Sequence, residues 1–137
     1  MKELNDIKAA PPTGISAGPV NESDIYHWEA LIQGPPGTVY EGGIFKVDIA
    51  IPNEFPHKAP TFKFITKIYH PNVDQEKGLI CLKVLQEWAP SVKIAKVLTD
   101  IYNLMITPEP EHAVDAAIGQ EFMENRAAFD RKGQRNG

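Results

Sequence analysis

The chain has 137 residues, of which 42% are hydrophobic and 23% charged, and it carries a net charge of −4. A chain of this length is read as one domain that buries roughly two-thirds of its unfolded surface, and the acidic balance argues against a nucleic-acid partner, which would ask for a basic excess. No apolar run approaches the ~20 residues that span a bilayer, the first six residues carry no apolar signal region, and a single cysteine points to a reducing compartment, cytoplasm or nucleus.

In chain order, Leu4, Ile7 and residues 8–10 predict a helix of about two turns, stopped by Pro11-Pro12 and too short to stand without packing on the body. Residues 16–20 and 26–32 read as two strands, and Gln33-Gly34-Pro35-Pro36-Gly37 as a turn. Residues 44–51 give the clearest strand: Phe45, Val47, Ile49 and Ile51 share one face while Lys46 and Asp48 share the other. Pro52, Pro56 and Pro60 exclude a helix there, and residues 61–65 alternate again. After Trp88-Ala89-Pro90 the period changes. Ile94, Val97, Leu98, Ile101, Leu104 and Met105 follow helical spacing, with Ser91 as the expected N-cap and Pro108 and Pro110 as the stop. Residues 113–129 form a second helical region with Ala117, Ile118, Phe122 and Phe129 on one stripe, weakened at Gly119. The last six residues are polar and expected to fray. A helix, a four-stranded antiparallel meander and then two or more helices make an α+β domain.

The long irregular stretch from His70 to Trp88 is where function is expected. It holds Cys81, nine positions after the Asn of His70-Pro71-Asn72. A free cysteine is either a small buried hydrophobe or a nucleophile. His70 could serve it as a base, as in a cysteine hydrolase, although local turn chemistry also accounts for a histidine there. The primary amide of Asn72 could donate to a developing oxyanion or lock a loop through backbone bonds.

Over nearly its whole length the chain resembles the ubiquitin-conjugating enzymes. The resemblance is carried by Lys2-Glu3-Leu4-Asn5-Asp6, Ser16-Ala17-Gly18-Pro19, Trp28, Gly34-Pro35, Tyr40-Glu41-Gly42-Gly43-Ile44-Phe45, Ile68-Tyr69-His70-Pro71-Asn72, Gly78-Leu79-Ile80-Cys81-Leu82 and Trp88-Ala89-Pro90. It implies that Cys81 receives the modifier's C-terminal acyl group from an activating enzyme as a thioester, then yields it to a lysine amine or a ligase cysteine. It also implies that Asn72 stabilises the oxyanion or the active-site loop, and that His70 and Pro71 are structural. No metal and no bound cofactor are needed, since ATP is consumed earlier by the activating enzyme. The implied partners are ubiquitin, its activating enzyme and a RING, HECT or RING-between-RING ligase. The chain is expected to act as a monomer, as one conjugating core domain over 1–137 with shortened first and last helices. The alternatives are a conjugating enzyme for another ubiquitin-like modifier, or an inactive ubiquitin-binding module of the same fold.

The chain departs from the family pattern at several points. The interval from Asn72 to Cys81 is one residue longer than usual, which Gln75-Glu76-Lys77 is expected to absorb at a loop tip. The interval from Cys81 to Trp88 is one residue shorter than in many relatives. Lys83 and His112 stand where lysine-reactive members carry acids, with Glu111 as the remaining candidate to orient an amine. This predicts weak intrinsic lysine reactivity and preference for a ligase thiol; the alternative is that Lys83 is a plain surface charge. His57 replaces an aromatic ligase anchor, and Ala89, Pro90 and Ser91 match the paired ligase-facing loop. Phe55-Pro56 matches a bond that can be cis. Lys2 and Lys8 are the basic residues left on the first helix for docking. Ser16 matches the open-face position at which a second ubiquitin binds some relatives.

Overall fold

The computed structural model describes Ile7, residues 12–21 and residues 23–136, the last two by backbone alone. The alternation read in the sequence produces four strands: β1 (Ile15–Asn21), β2 (Asp24–Gln33), β3 (Ile44–Ala50) and β4 (Thr61–Phe64). They pair antiparallel in the order β1-β2-β3-β4. Register sets Ala30 opposite Val47 and Trp28 opposite Ile49 on the middle pair, then Ile49 opposite Phe62 on the next. Every second side chain therefore turns inward, which buries Trp28, Ala30 and Ile32 of β2 and Phe45, Val47 and Ile49 of β3 completely.

After the sheet come α1 (Lys83–Gln86), α2 (Ile94–Ile106), a single 3₁₀ turn (Pro110–His112), α3 (Ala116–Glu124) and α4 (Arg126–Asn136). The apolar stripe of α2, Ile94, Val97, Leu98, Ile101, Leu104 and Met105, is the one its spacing predicts, and it shares one core cluster with the inward face of the sheet. Ile7 belongs to that cluster too; the rest of the predicted first helix, with Lys2 and Lys8, lies outside the described residues.

The structure corrects several details. The N-cap position of α2 is Lys93, and Ser91 stands two residues earlier in a turn closed by the Val92 N–H on the Ala89 carbonyl. The region 113–129 is two helices, not one. Asn125 ends α3 with its N–H on the Glu121 carbonyl at 2.7 Å, and its Oδ1 accepts the Ala128 N–H at 3.3 Å in the first turn of α4. That helix continues through the polar tail to Asn136 rather than fraying before it.

Gly119 in α3 has a packing reason. It is buried, and a Cβ there would lie 2.8 Å from the Ala113 Cβ and 3.2 Å from the Pro110 carbonyl oxygen, so the missing side chain lets the helix close on the 3₁₀ turn. Gln75, Glu76 and Lys77 form a turn in the long interval before Cys81. Asp74 Oδ1 accepts the N–H groups of Glu76 and Lys77, while Gln75 turns inward and its Nε2 donates to the carbonyls of Ile68 and Val73. Gly78 closes the turn at φ +75°, where a Cβ would meet the Phe64 carbonyl oxygen at 2.1 Å.

Candidate active site

The segment bearing the cysteine is held extended between two anchors. Leu79 bridges to Lys63 and Ile80 to Val73, and the Cys81 N–H donates to the Asn72 carbonyl at 3.1 Å. Leu82 is buried, and α1 starts at the next residue. The Cys81 side chain is left half-buried where two clefts meet. One, of about 380 Å³, runs along Asp100, Asn103 and Thr107 at the end of α2. The other, of about 710 Å³, is lined by Lys83, Gln86, Glu87, Glu109, Glu111 and His112. The larger one thus contains all three residues expected from the sequence to meet an acceptor.

His70 and Asn72 are each only 1% exposed. The Nε2–H of His70 donates to the Leu104 carbonyl at 2.8 Å, and its Nδ1 accepts the Asn72 N–H at 3.0 Å. These bonds fix one neutral tautomer. Burial pushes the imidazole pKa down to about 4, against a smaller upward pull from the Leu104 carbonyl. With its one lone pair already accepting a backbone N–H, the ring has no site left for a proton from a thiol. The arrangement matches the turn reading of His70 and leaves a cysteine hydrolase without its base.

The Asn72 carboxamide is fully engaged. Its Nδ2 donates to the Glu109 carbonyl at 2.9 Å and to the His112 carbonyl at 3.2 Å, while Oδ1 accepts the Glu109 N–H at 3.0 Å. Beside it, the Pro71 carbonyl accepts the N–H groups of Val114 and Asp115 at 2.8 and 3.2 Å. Asp115 caps α3 through the Ile118 N–H at 3.1 Å. The His-Pro-Asn turn therefore clamps the loop 109–115 over the larger cleft. In this geometry the amide locks a loop, and both of its N–H groups are occupied.

Lys83, Glu111 and His112 are exposed, so the larger cleft brings together a cation, a carboxylate and an imidazole beside the thiol. Sequence reasoning missed Glu87, Glu109 and Gln86. Gln86 contacts the thiol directly, its Nε2 donating to Cys81 Sγ at 3.4 Å. No periodic signal marks it in the sequence: the run Lys83-Val84-Leu85-Gln86 forms a single helical turn, which carries position 86 back toward position 81.

The residues expected from the sequence to face a ligase lie on two loops that are tied together. Trp88 Nε1–H donates to the Pro56 carbonyl at 2.8 Å, and the Phe55 and Trp88 rings are 6.2 Å apart. His57, Pro90 and Ser91 are exposed and Ala89 is half-buried; the Phe55–Pro56 peptide is cis. Ser16 stands exposed on β1 opposite Leu31, on the face of the sheet turned away from the core.

Comparison with known proteins bears on the family and the fold. The family model for "Ubiquitin-conjugating enzyme" matches residues 1–136. A Dictyostelium discoideum protein, Ubiquitin conjugating enzyme E2 B, is 42% identical over 131 residues, which are 96% of this chain and 88% of the relative. Among solved structures, the E2 domain of a Toxoplasma gondii ubiquitin conjugating enzyme superposes with a TM-score of 0.89 at 40% identity, covering 98% of this chain and 91% of that one. A Plasmodium yoelii chain assigned to the same enzymes gives 0.90 at 38% identity, covering 98% and 88%. The chain belongs to the ubiquitin-conjugating enzyme family.

Proposed function

We propose that this chain accepts ubiquitin from its activating enzyme as a thioester on Cys81 and passes it to a ligase cysteine or a substrate lysine. The observation that carries the reading is the position of Cys81: a half-buried sulfur at the junction of two clefts, on a segment fixed by the Asn72 carbonyl. A thiol placed there is open to an incoming thioester and later to an acceptor, while its backbone stays rigid. Loading is exchange of one thioester for another, so the chain's own residues need only hold and shield the acyl group. The ATP-dependent step and any cofactor belong upstream.

In this reading Asn72 acts through the loop it clamps, and His70 and Pro71 shape the turn. Lys83 repels an ammonium nucleophile and favours a ligase thiol as acceptor. Glu87, Glu109 and Glu111 in the same cleft are the feature that favours lysine, with Glu111 as the amine-orienting carboxylate. The loops bearing His57 and Ala89-Pro90-Ser91 form the ligase face, and Lys2 and Lys8 supply basic charge for docking. Ser16 marks the second ubiquitin-binding face, and the chain works as a monomer in cytoplasm or nucleus.

The test is to mix the chain with ubiquitin, its activating enzyme and ATP and to resolve the products with and without reductant. A reductant-sensitive adduct is expected, and its complete loss in Cys81→Ala. An adduct that persists in that variant refutes the proposal.

A further inference from the structure

We propose that Gln86 is a catalytic residue of this enzyme, its side-chain amide donating a hydrogen bond to the Cys81 sulfur as that sulfur becomes a thiolate. The proposal rests on the reading of Cys81 as the thioester carrier. Its first support is contact: Gln86 Nε2 lies 3.4 Å from Sγ, and no other side-chain donor among the described residues bonds that sulfur. Its second is the engagement of Asn72. The neighbouring amide donates to the carbonyls of Glu109 and His112, so neither of its N–H groups is free for the reacting atoms. Its third is rigidity. The backbone N–H groups of Leu85 and Gln86 both donate to the Leu82 carbonyl at 3.2 Å, and Leu82 is buried. The turn that carries Gln86 is thus fixed to the residue beside the cysteine.

In discharge, the acceptor's nitrogen or sulfur forms a bond to the acyl carbon and the bond from that carbon to Sγ breaks. The electron pair goes to Sγ, and the acceptor, amine or thiol, releases its proton to solvent. A neutral thioester sulfur is a poor hydrogen-bond acceptor and a thiolate a strong one. The Gln86 N–H therefore binds the departing sulfur more tightly than the loaded ground state, which is the condition for lowering a barrier.

Gln86 is exposed, so its variants should fold. Thioester loss is followed in a single-turnover chase with free cysteine for the wild type, Gln86→Leu and Gln86→Lys. Gln86→Leu is expected to discharge about tenfold more slowly, the scale of one hydrogen bond to a charged group, and Gln86→Lys, which restores a donor, to return within about threefold of the wild type. A wild type that loads normally and a Gln86→Leu within twofold of its discharge rate overturn the inference alone. Because Cys81 is the chain's single cysteine, its alkylation by iodoacetamide gives a second readout with no ubiquitin involved. There Gln86→Leu should react about threefold more slowly, since the attacking sulfur carries partial negative charge in the transition state that the lost donor no longer stabilises. A wild type that forms no thioester at all refutes the carrier reading and the discharge role with it, and unchanged alkylation in Gln86→Leu refutes the contact itself.

Discussion

The two sides of Cys81 are built differently. On one side His70 and Asn72 are buried, and every polar atom of their side chains has a protein partner. On the other, Lys83, Gln86, Glu111 and His112 face the larger cleft and are exposed. The buried side can change only at a cost in stability, because each lost partner leaves a desolvated group behind. The exposed side can change almost freely, because water replaces whatever is removed. Shape is therefore held by one half of the site, and the other half is left free to vary at little cost in stability.

The sharpest way to break the buried half is acid. His70 is neutral in the folded chain with a pKa of about 4, against 6.5 for the ordinary imidazole. Between those values the unfolded state binds the extra proton, so stability rises with pH across the window. It is fully present above pH 6.5 and falls as pH drops toward 4, by about 3 kcal/mol in all. Denaturant unfolding from pH 7 to pH 4 should show this slope in the wild type and lose it in His70→Gln. The exposed His27, raised by its hydrogen bond with Asp48, acts in the opposite sense: its contribution is present below pH 6.5 and lost above. The difference between wild type and His70→Gln removes it.

Next in size is Asn72→Ala. It strips the partner from the Glu109 N–H and from two carbonyls, and should cost about 2 kcal/mol, measured by denaturant midpoint. It should also slow thioester discharge, because the loop over the cleft is released. Unchanged stability would show that water replaces the amide, and the contrast between the two halves would fail.

The smallest effect belongs to the exposed half. Lys83→Asp should leave stability within about 0.5 kcal/mol while raising discharge to free lysine severalfold relative to free cysteine. Equal rates for both acceptors before and after the substitution would remove Lys83 from the acceptor choice.

The legible parts of this protein are those where one face meets the core. Residues 44–51 alternate because β3 is buried on one face only, and the spacing of α2 survives because all six stripe residues pack inward. The turn reading of His70 also came through, since His-Pro-Asn has turn chemistry of its own. What stayed hidden depends on backbone atoms far along the chain. The partners of Asn72 are a carbonyl and an N–H 37 residues away and another carbonyl 40 residues away, and a carbonyl carries no residue identity. The four-residue α1 is too short for any periodicity. The break at Asn125 was hidden because Phe122 and Phe129 pack edge to face at 4.9 Å across it, keeping a single apolar stripe over two helices.

The Pro71 carbonyl, shared by the amides of Val114 and Asp115, has a consequence for how the protein is made. A nascent chain that has left the ribosome only as far as Gln86 already displays its thiol, but not the carbonyls that Asn72 binds or the amides that Pro71 receives. The ring of contacts beside Cys81 is complete only when the polypeptide has been synthesised through Asp115 and that stretch has folded back onto the middle.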